Sequence, residues 1–309
     1  MRTYLKITSP WYQLCIFLLL LGGAIVLTSA ISTLILVSRG ALISGQHGVS
    51  RFDLDNPAVV SLMKWLQGFS SLAIFLLPAL LYAWFSFRYR PIWFLGFHKP
   101  DKNVFYALAI GIALLSFPLA GWLGQINERI PLPTSLISMQ KDAERELEAF
   151  LKIGSPLDIF YNLLVMALLP AICEEACFRG SLQRILIHAF RSPWAGIIVT
   201  AILFSAFHMQ FQGFLPRFYL GVMLGALYWY SGSLWVSILA HFVINGVQVA
   251  ATVYYPKMIN ENPSIPIYMV LLSAAFVTLL LVKLVRESGM DYAKVYEVGA
   301  VNEYNEFLS

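Results

Sequence analysis

The apolar and polar positions of the 309-residue chain sort into long apolar runs joined by short polar connections. Eight runs are long enough to be read as bilayer spans: 12–37, 65–87, 104–125, 159–187, 194–210, 214–230, 234–253 and 266–285. A helix rises about 1.5 Å per residue, so about 20 residues cover the hydrocarbon core. The runs at 194–210 and 214–230 are short and carry polar residues. Between 134 and 151 the pattern changes. Leu136, Met139, Ala143, Leu147, Phe150 and Leu151 recur at three- or four-residue steps, and charges fill the other face. That predicts an amphipathic helix capped near Thr134 or Ser135, lying at the interface or over the bundle. The chain then divides into spans one to three (1–130), an interfacial helix (131–157), a core of spans four to eight (158–286) and a polar tail (287–309). The expected fold is all-α: a polytopic transmembrane helical bundle of about eight spans.

Composition agrees with the pattern. Hydrophobic residues make up 59% and charged residues 12%, against about half and a quarter in soluble domains. An ordinary soluble domain and a disordered chain are both excluded. The net charge of +4 is scattered in short loops, so no nucleic-acid partner is indicated. Cys15, Cys173 and Cys177 all lie in apolar runs without a CxxC pair, and read as small buried hydrophobes rather than disulfide partners. Arg2 and Lys6 precede a first run longer than a signal-peptide core and without a clear cleavage site, so it reads as a retained span. Basic residues gather in alternate connections: Arg2 and Lys6; Arg88, Arg90, Lys99 and Lys102; Arg184, His188 and Arg191; Lys283 and Arg286. Asp53, Asp55, Asp142, Glu144, Glu146, Glu148 and Asp158 fall in the others. The positive-inside rule then places both termini in the cytoplasm.

A few groups violate the apolar pattern. An ionised side chain at bilayer depth costs several kcal/mol (about 2.5–3.5 on insertion scales) unless it is paired or hydrated. Glu174, Glu175 and Arg179 nevertheless sit inside the fourth run, His208 in the fifth, and His241 and Asn245 in the seventh. Glu175 and Arg179 are four residues apart and share a helix face, while Glu174 points about 100° away, free for another partner or water. His241 and Asn245 are likewise one turn apart. Pro170 removes a helical hydrogen bond, freeing the Met166 carbonyl and predicting a kink just before the carboxylates. Counting from cytoplasmic ends near 185, 194 and 234, Glu174, His208 and His241 lie roughly 15, 20 and 10 Å deep. Costly groups at mid-depth on three helices fit a shared wet site better than packing alone. Gln183, Gln210, Gln212 and Gln248 read as helix-end or bundle contacts, and Gly221 with Gly225 as a small-xxx-small packing face.

These residues also carry a resemblance. Glu174-Glu175-Ala-Cys-Phe-Arg179 followed by Gly180 resembles an EExxxR motif, Phe204-Ser-Ala-Phe-His208 an FxxxH motif, and His241-Phe-Val-Ile-Asn245 an HxxxN motif. In that order they resemble the CAAX prenyl protease and bacteriocin-processing family (CPBP, or Abi), whose members are intramembrane endopeptidases. The resemblance is strong over 159–253 and general elsewhere. It implies that Glu174 and His208 activate a water, that His241 and Asn245 stabilise the oxyanion, and that Glu175 and Arg179 support the site. It implies a peptide or protein substrate at the membrane and a prokaryotic inner or plasma membrane setting. No cofactor is favoured; a zinc-dependent variant would use Glu174, His208 and His241, but no HExxH pair exists. Two readings of another class remain: a proton-coupled transporter using the same groups as a relay, and a non-catalytic immunity or scaffold protein.

Overall fold

A computed structural model describes residues 8–44, 50–86, 90–152, 156–254 and 264–298; Arg2, Lys6, Arg88 and the tail beyond 298 lie outside it. The described residues are almost entirely helical, with one small antiparallel pair, β1 (Leu42–Ser44) and β2 (Ser50–Phe52), following the first helix. The helices are α1 (Pro10–Ser38), α2 (Pro57–Ser86), α3 (Val104–Leu115), α4 (Phe117–Glu128), α5 (Thr134–Leu151), α6 (Leu157–Phe190), α7 (Pro193–Phe207), α8 (Phe214–Ser231), α9 (Leu234–Tyr254) and α10 (Ile267–Glu287). The all-α polytopic bundle is thus observed.

The spans differ from the eight expected. Five helices, α1, α2, α6, α9 and α10, are long and apolar enough to cross a membrane, and α3 with α4 makes a sixth if the bent pair counts as one. The third run breaks by 40° where Pro118 follows Ser116, because proline withholds the N–H that would carry the helix on. The fifth run yields α7, of 15 residues, about 22 Å long against about 30 Å of hydrocarbon. The sixth yields α8, opening on Phe214 and carrying Arg217 in its first turn. α7 and α8 therefore form a short hairpin. Its turn stops within bilayer depth if the Pro193 end lies at a surface.

Two long helices absorb their prolines in the same way. In α2 a π-helical turn at Ser71–Leu76 precedes Pro78, and the Leu77 N–H donates to the Leu72 carbonyl. In α6 a π-helical turn at Leu163–Leu168 precedes Pro170, and the Leu169 N–H donates to the Leu164 carbonyl. The wider turn re-pairs the backbone that proline disrupts. The kink expected at Pro170 is realised as this turn, and α6 runs on unbroken.

α6 is the central post. From Pro170 to Gln183 only Ile172 escapes full burial. One apolar cluster packs Phe17 of α1 and Tyr82 of α2 against Phe178 and Leu182 of α6, with Phe204 and Tyr228 beyond. A second joins α3, α8, α9 and α10 through Ile112, Leu224, Ala240 and Val277. The outer helices turn large apolar groups outward, such as Leu19 on α1 and Leu271 on α10, as lipid-facing helices do. α5 spans the expected residues, but its cap is Pro133, with no side-chain capping bond. All three cysteines are unpaired; Cys173 and Cys177 are buried as expected, whereas Cys15 is exposed on the outer face of α1 and is not a core residue.

The basic end of α6 also departs from a simple loop. Arg184, counted above among the loop bases, is helical and turns inward: its Nη1 donates to the Phe94 carbonyl at 2.6 Å. The tail returns there. The Tyr296 hydroxyl donates to the Arg184 carbonyl at 2.9 Å, and its ring stacks on His188.

Candidate active site

α6 presents both carboxylates in a buried stretch, Glu175 with no exposure and Glu174 with a little. Glu175 and Arg179 pair as their spacing predicts, Nη1 to Oε1 at 2.7 Å, with neither side chain exposed. The same Glu175 oxygen also accepts from His241 Nδ1 at 2.8 Å. This second partner, on α9, has no counterpart in local spacing. Glu175 thus joins two helices: it neutralises Arg179 and fixes the ring of His241. Arg179 reaches further, its Nη2 donating to the Gly221 carbonyl of α8 at 3.1 Å. One turn on, Gln183 Nε2 donates to the Gly225 carbonyl at 3.0 Å.

The glycines explain the close approach. A Cβ at Gly221 would stand 3.1 Å from the Ala201 Cβ of α7, and one at Gly225 would stand 2.7 Å from Gln183 Oε1. The small-xxx-small step therefore packs one glycine against α7 and the other against α6 and α7, with both carbonyls within reach of α6 side chains.

Glu174 faces elsewhere. Its Oε2 is buried and hydrogen-bonded to nothing among the described residues. His241 Nε2 lies 3.9 Å from this oxygen. This is too long for a hydrogen bond and about the span a bridging water fills.

His208 comes from the α7–α8 hairpin. It sits at the C-cap of α7 rather than inside a span. Its Nδ1 lies 2.8 Å from the Phe204 carbonyl. Since a carbonyl only accepts, Nδ1 carries the proton and Nε2 keeps its lone pair. The helix ends because Met209 adopts φ 54°, a left-handed conformation uncommon outside glycine and asparagine.

The Phe204 ring is the hub of the site. His208 packs on it edge-on at 4.9 Å, His241 edge-on at 6.0 Å, and the Arg179 guanidinium stacks over it at 4.5 Å. Glu174, Glu175 and Arg179 of α6, His208 of α7 and His241 of α9 are thereby brought together. Asn245 follows one turn after His241, half-buried, and makes no side-chain hydrogen bond to the others among the described residues. The FxxxH pattern contained Phe204, but its role as shared platform was not read from it.

Among the described residues no group of three His, Cys, Asp or Glu side chains is placed to hold a metal ion.

The comparisons with known proteins bear on the same stretch. Residues 156–247 match the family model described as Rce1-like, type II CAAX prenyl endopeptidase. A curated Escherichia coli protein named "Uncharacterized 24.3 kDa protein" is 33% identical over 92 residues, which is 27% of this chain and 41% of that protein. The match therefore spans about two fifths of that relative's length. No solved structure matches.

Proposed function

We propose that this chain belongs to the CPBP family through its α6–α9 core and is an endopeptidase that hydrolyses a peptide bond of a membrane-associated protein or peptide. At family level the activity is that of a CAAX-type endopeptidase; the residue roles are our reading. The observation that carries it is the meeting of Glu174, His208 and His241, from three helices, around the Phe204 ring and the Glu175–Arg179 pair.

Glu174 holds a carboxylate oxygen free for a water, and His208 offers Nε2 as a second acceptor. In this reading the water loses a proton to Glu174 while its oxygen attacks the peptide carbonyl. The carbonyl oxygen becomes an oxyanion. Collapse breaks the C–N bond, and the departing amine takes the proton back, leaving a carboxylic acid and an amine. His241 and Asn245 serve as the oxyanion donors. Since Glu175 accepts the Nδ1–H hydrogen bond of His241, donation from Nε2 as well requires both ring nitrogens to carry a proton.

Purified protein in detergent, with quenched fluorogenic peptides, tests the reading. One peptide carries a farnesylated CAAX-type end and one has the same sequence without the lipid. Cleavage by the parent should fall by about 10²-fold or more in Glu174→Gln and His208→Ala, the scale of lost general-base catalysis. Full cleavage by Glu174→Gln would sink the proposal and leave a partner-binding role. A comparison with and without chelator separates metal-free from metal-dependent hydrolysis.

A further inference from the structure

The turn that carries His208 is irregular backbone inside a membrane protein, and such backbone persists only where the protein itself satisfies its polar groups. Here side chains do so. Ser205 Oγ donates to the Phe214 carbonyl at 2.7 Å. Arg217 donates to the Gln210 carbonyl and, at 3.1 Å, to Gln210 Oε1. The remaining clamp comes from outside the hairpin. Asn127, near the end of α4 and only 3% exposed, donates from Nδ2 to the Phe211 carbonyl at 2.8 Å and accepts the Leu215 N–H at Oδ1 at 2.7 Å.

A two-point bond of this kind fixes both the distance and the rotation of the segment it grips. It grips the residues immediately after His208. Sliding or opening of the turn would move the imidazole along the axis of α7 relative to Glu174, which stands on a different helix. α4 reaches this position because the chain bends at Ser116; Ser116 Oγ also meets the Tyr219 hydroxyl of α8 at 3.1 Å, a separate tie about three helical turns from Asn127. Asn127 lies outside the 156–247 stretch that matches the family model.

We propose that Asn127 is a positioning residue for the hydrolytic site: it holds the α7–α8 turn in the register that sets His208 against Glu174. This rests on the reading of His208 as part of the catalytic machinery. It also assigns the N-terminal part of the chain a direct share in the geometry of the site.

Asn127→Asp and Asn127→Leu test it in the full chain. A protonated aspartic acid reproduces both bonds, donating to Phe211 and accepting from Leu215. Its ionised form cannot donate and sets an anion against a carbonyl. Asn127→Asp should therefore retain near-parental kcat at low pH and lose it as pH rises, a limb absent from the parent. Asn127→Leu should lower kcat by about 10–100-fold at all pH values, with KM changed by less than about threefold, the scale of a misplacement near 1 Å. Ser116→Ala, which cuts the separate tie to α8 without touching the turn, should leave kcat within about twofold. Hydrogen–deuterium exchange supplies a readout independent of cleavage: exchange in 209–215 should rise at least about tenfold in Asn127→Leu and stay parental in Ser116→Ala.

Unchanged exchange at 209–215 in Asn127→Leu overturns the clamp. Raised exchange with parental kcat overturns its share in the site. If His208→Ala itself cleaves at the parental rate, the hydrolytic reading of His208 fails, and exchange alone then judges whether Asn127 holds the turn.

Discussion

At the residue scale, Glu175 decides more than its spacing suggested. One oxygen accepts from both Arg179 and His241, so the pair is also the mount of a third group, the imidazole. Breaking a buried ion pair by removing one partner costs about 3–5 kcal/mol, because the other charge is left uncompensated. Arg179→Met should therefore destabilise the protein by about that amount, measured by denaturant or thermal unfolding in detergent. Adding Glu175→Leu should recover part of the stability, since well-packed apolar groups often replace a buried pair without loss. Cleavage should not recover with it, because His241 has then lost its anchor. The i,i+4 pairing of Glu175 with Arg179 was legible in the sequence because helical periodicity alone sets it. The Glu175–His241 bond was not, since it joins positions 66 residues apart through tertiary packing. Asn127 escaped notice for the same reason: a lone asparagine at a helix end has no local pattern.

At the element scale, α6 and α8 are joined by two parallel rungs, Arg179 to the Gly221 carbonyl and Gln183 to the Gly225 carbonyl. The rungs match because both donors and both acceptors are one helical turn apart. Gly225→Ala should destabilise by about 1–3 kcal/mol, the usual cost of overpacking, because the new methyl meets Gln183 Oε1 at 2.7 Å and an Ile197 methyl at 3.0 Å. Unfolding midpoints in detergent check the size. Combining it with Gln183→Ala should relieve part of the strain but not the Ile197 contact. The sequence disclosed the small-residue face and the helix over 134–151, where composition and period speak directly. It did not disclose the break at Ser116, where apolar residues continue and hydropathy sees one run although backbone geometry makes two helices; the break after His208, marked by Gln210, Gln212 and Gly213, was legible as the gap between two runs.

At the scale of the whole molecule, the matched stretch 156–247 is not a free-standing unit. Phe17 and Tyr82 pack against its central helix, and Asn127 holds its hairpin turn. The polytopic all-α architecture was readable from hydropathy, whereas the number of full spans was not, because α7 and α8 are apolar yet short or polar at one end. The π-helical turn at Leu163–Leu168 gives the central helix a further property. Such a turn stores a surplus residue: the chain is one position longer there than a regular coil of equal rise, while the flanking faces keep their alignment. Removing a single residue from 163–168 should therefore draw on that slack and leave Glu174 facing the same way, with cleavage reduced by no more than about tenfold in the peptide assay. Removing Ile172, beyond the slack, should swing the carboxylates by about 100° against everything upstream and abolish turnover. A second π-helical turn at Phe178–Gln183 lies on the other side of the carboxylates, so the central helix carries spare length both before and after them and none between.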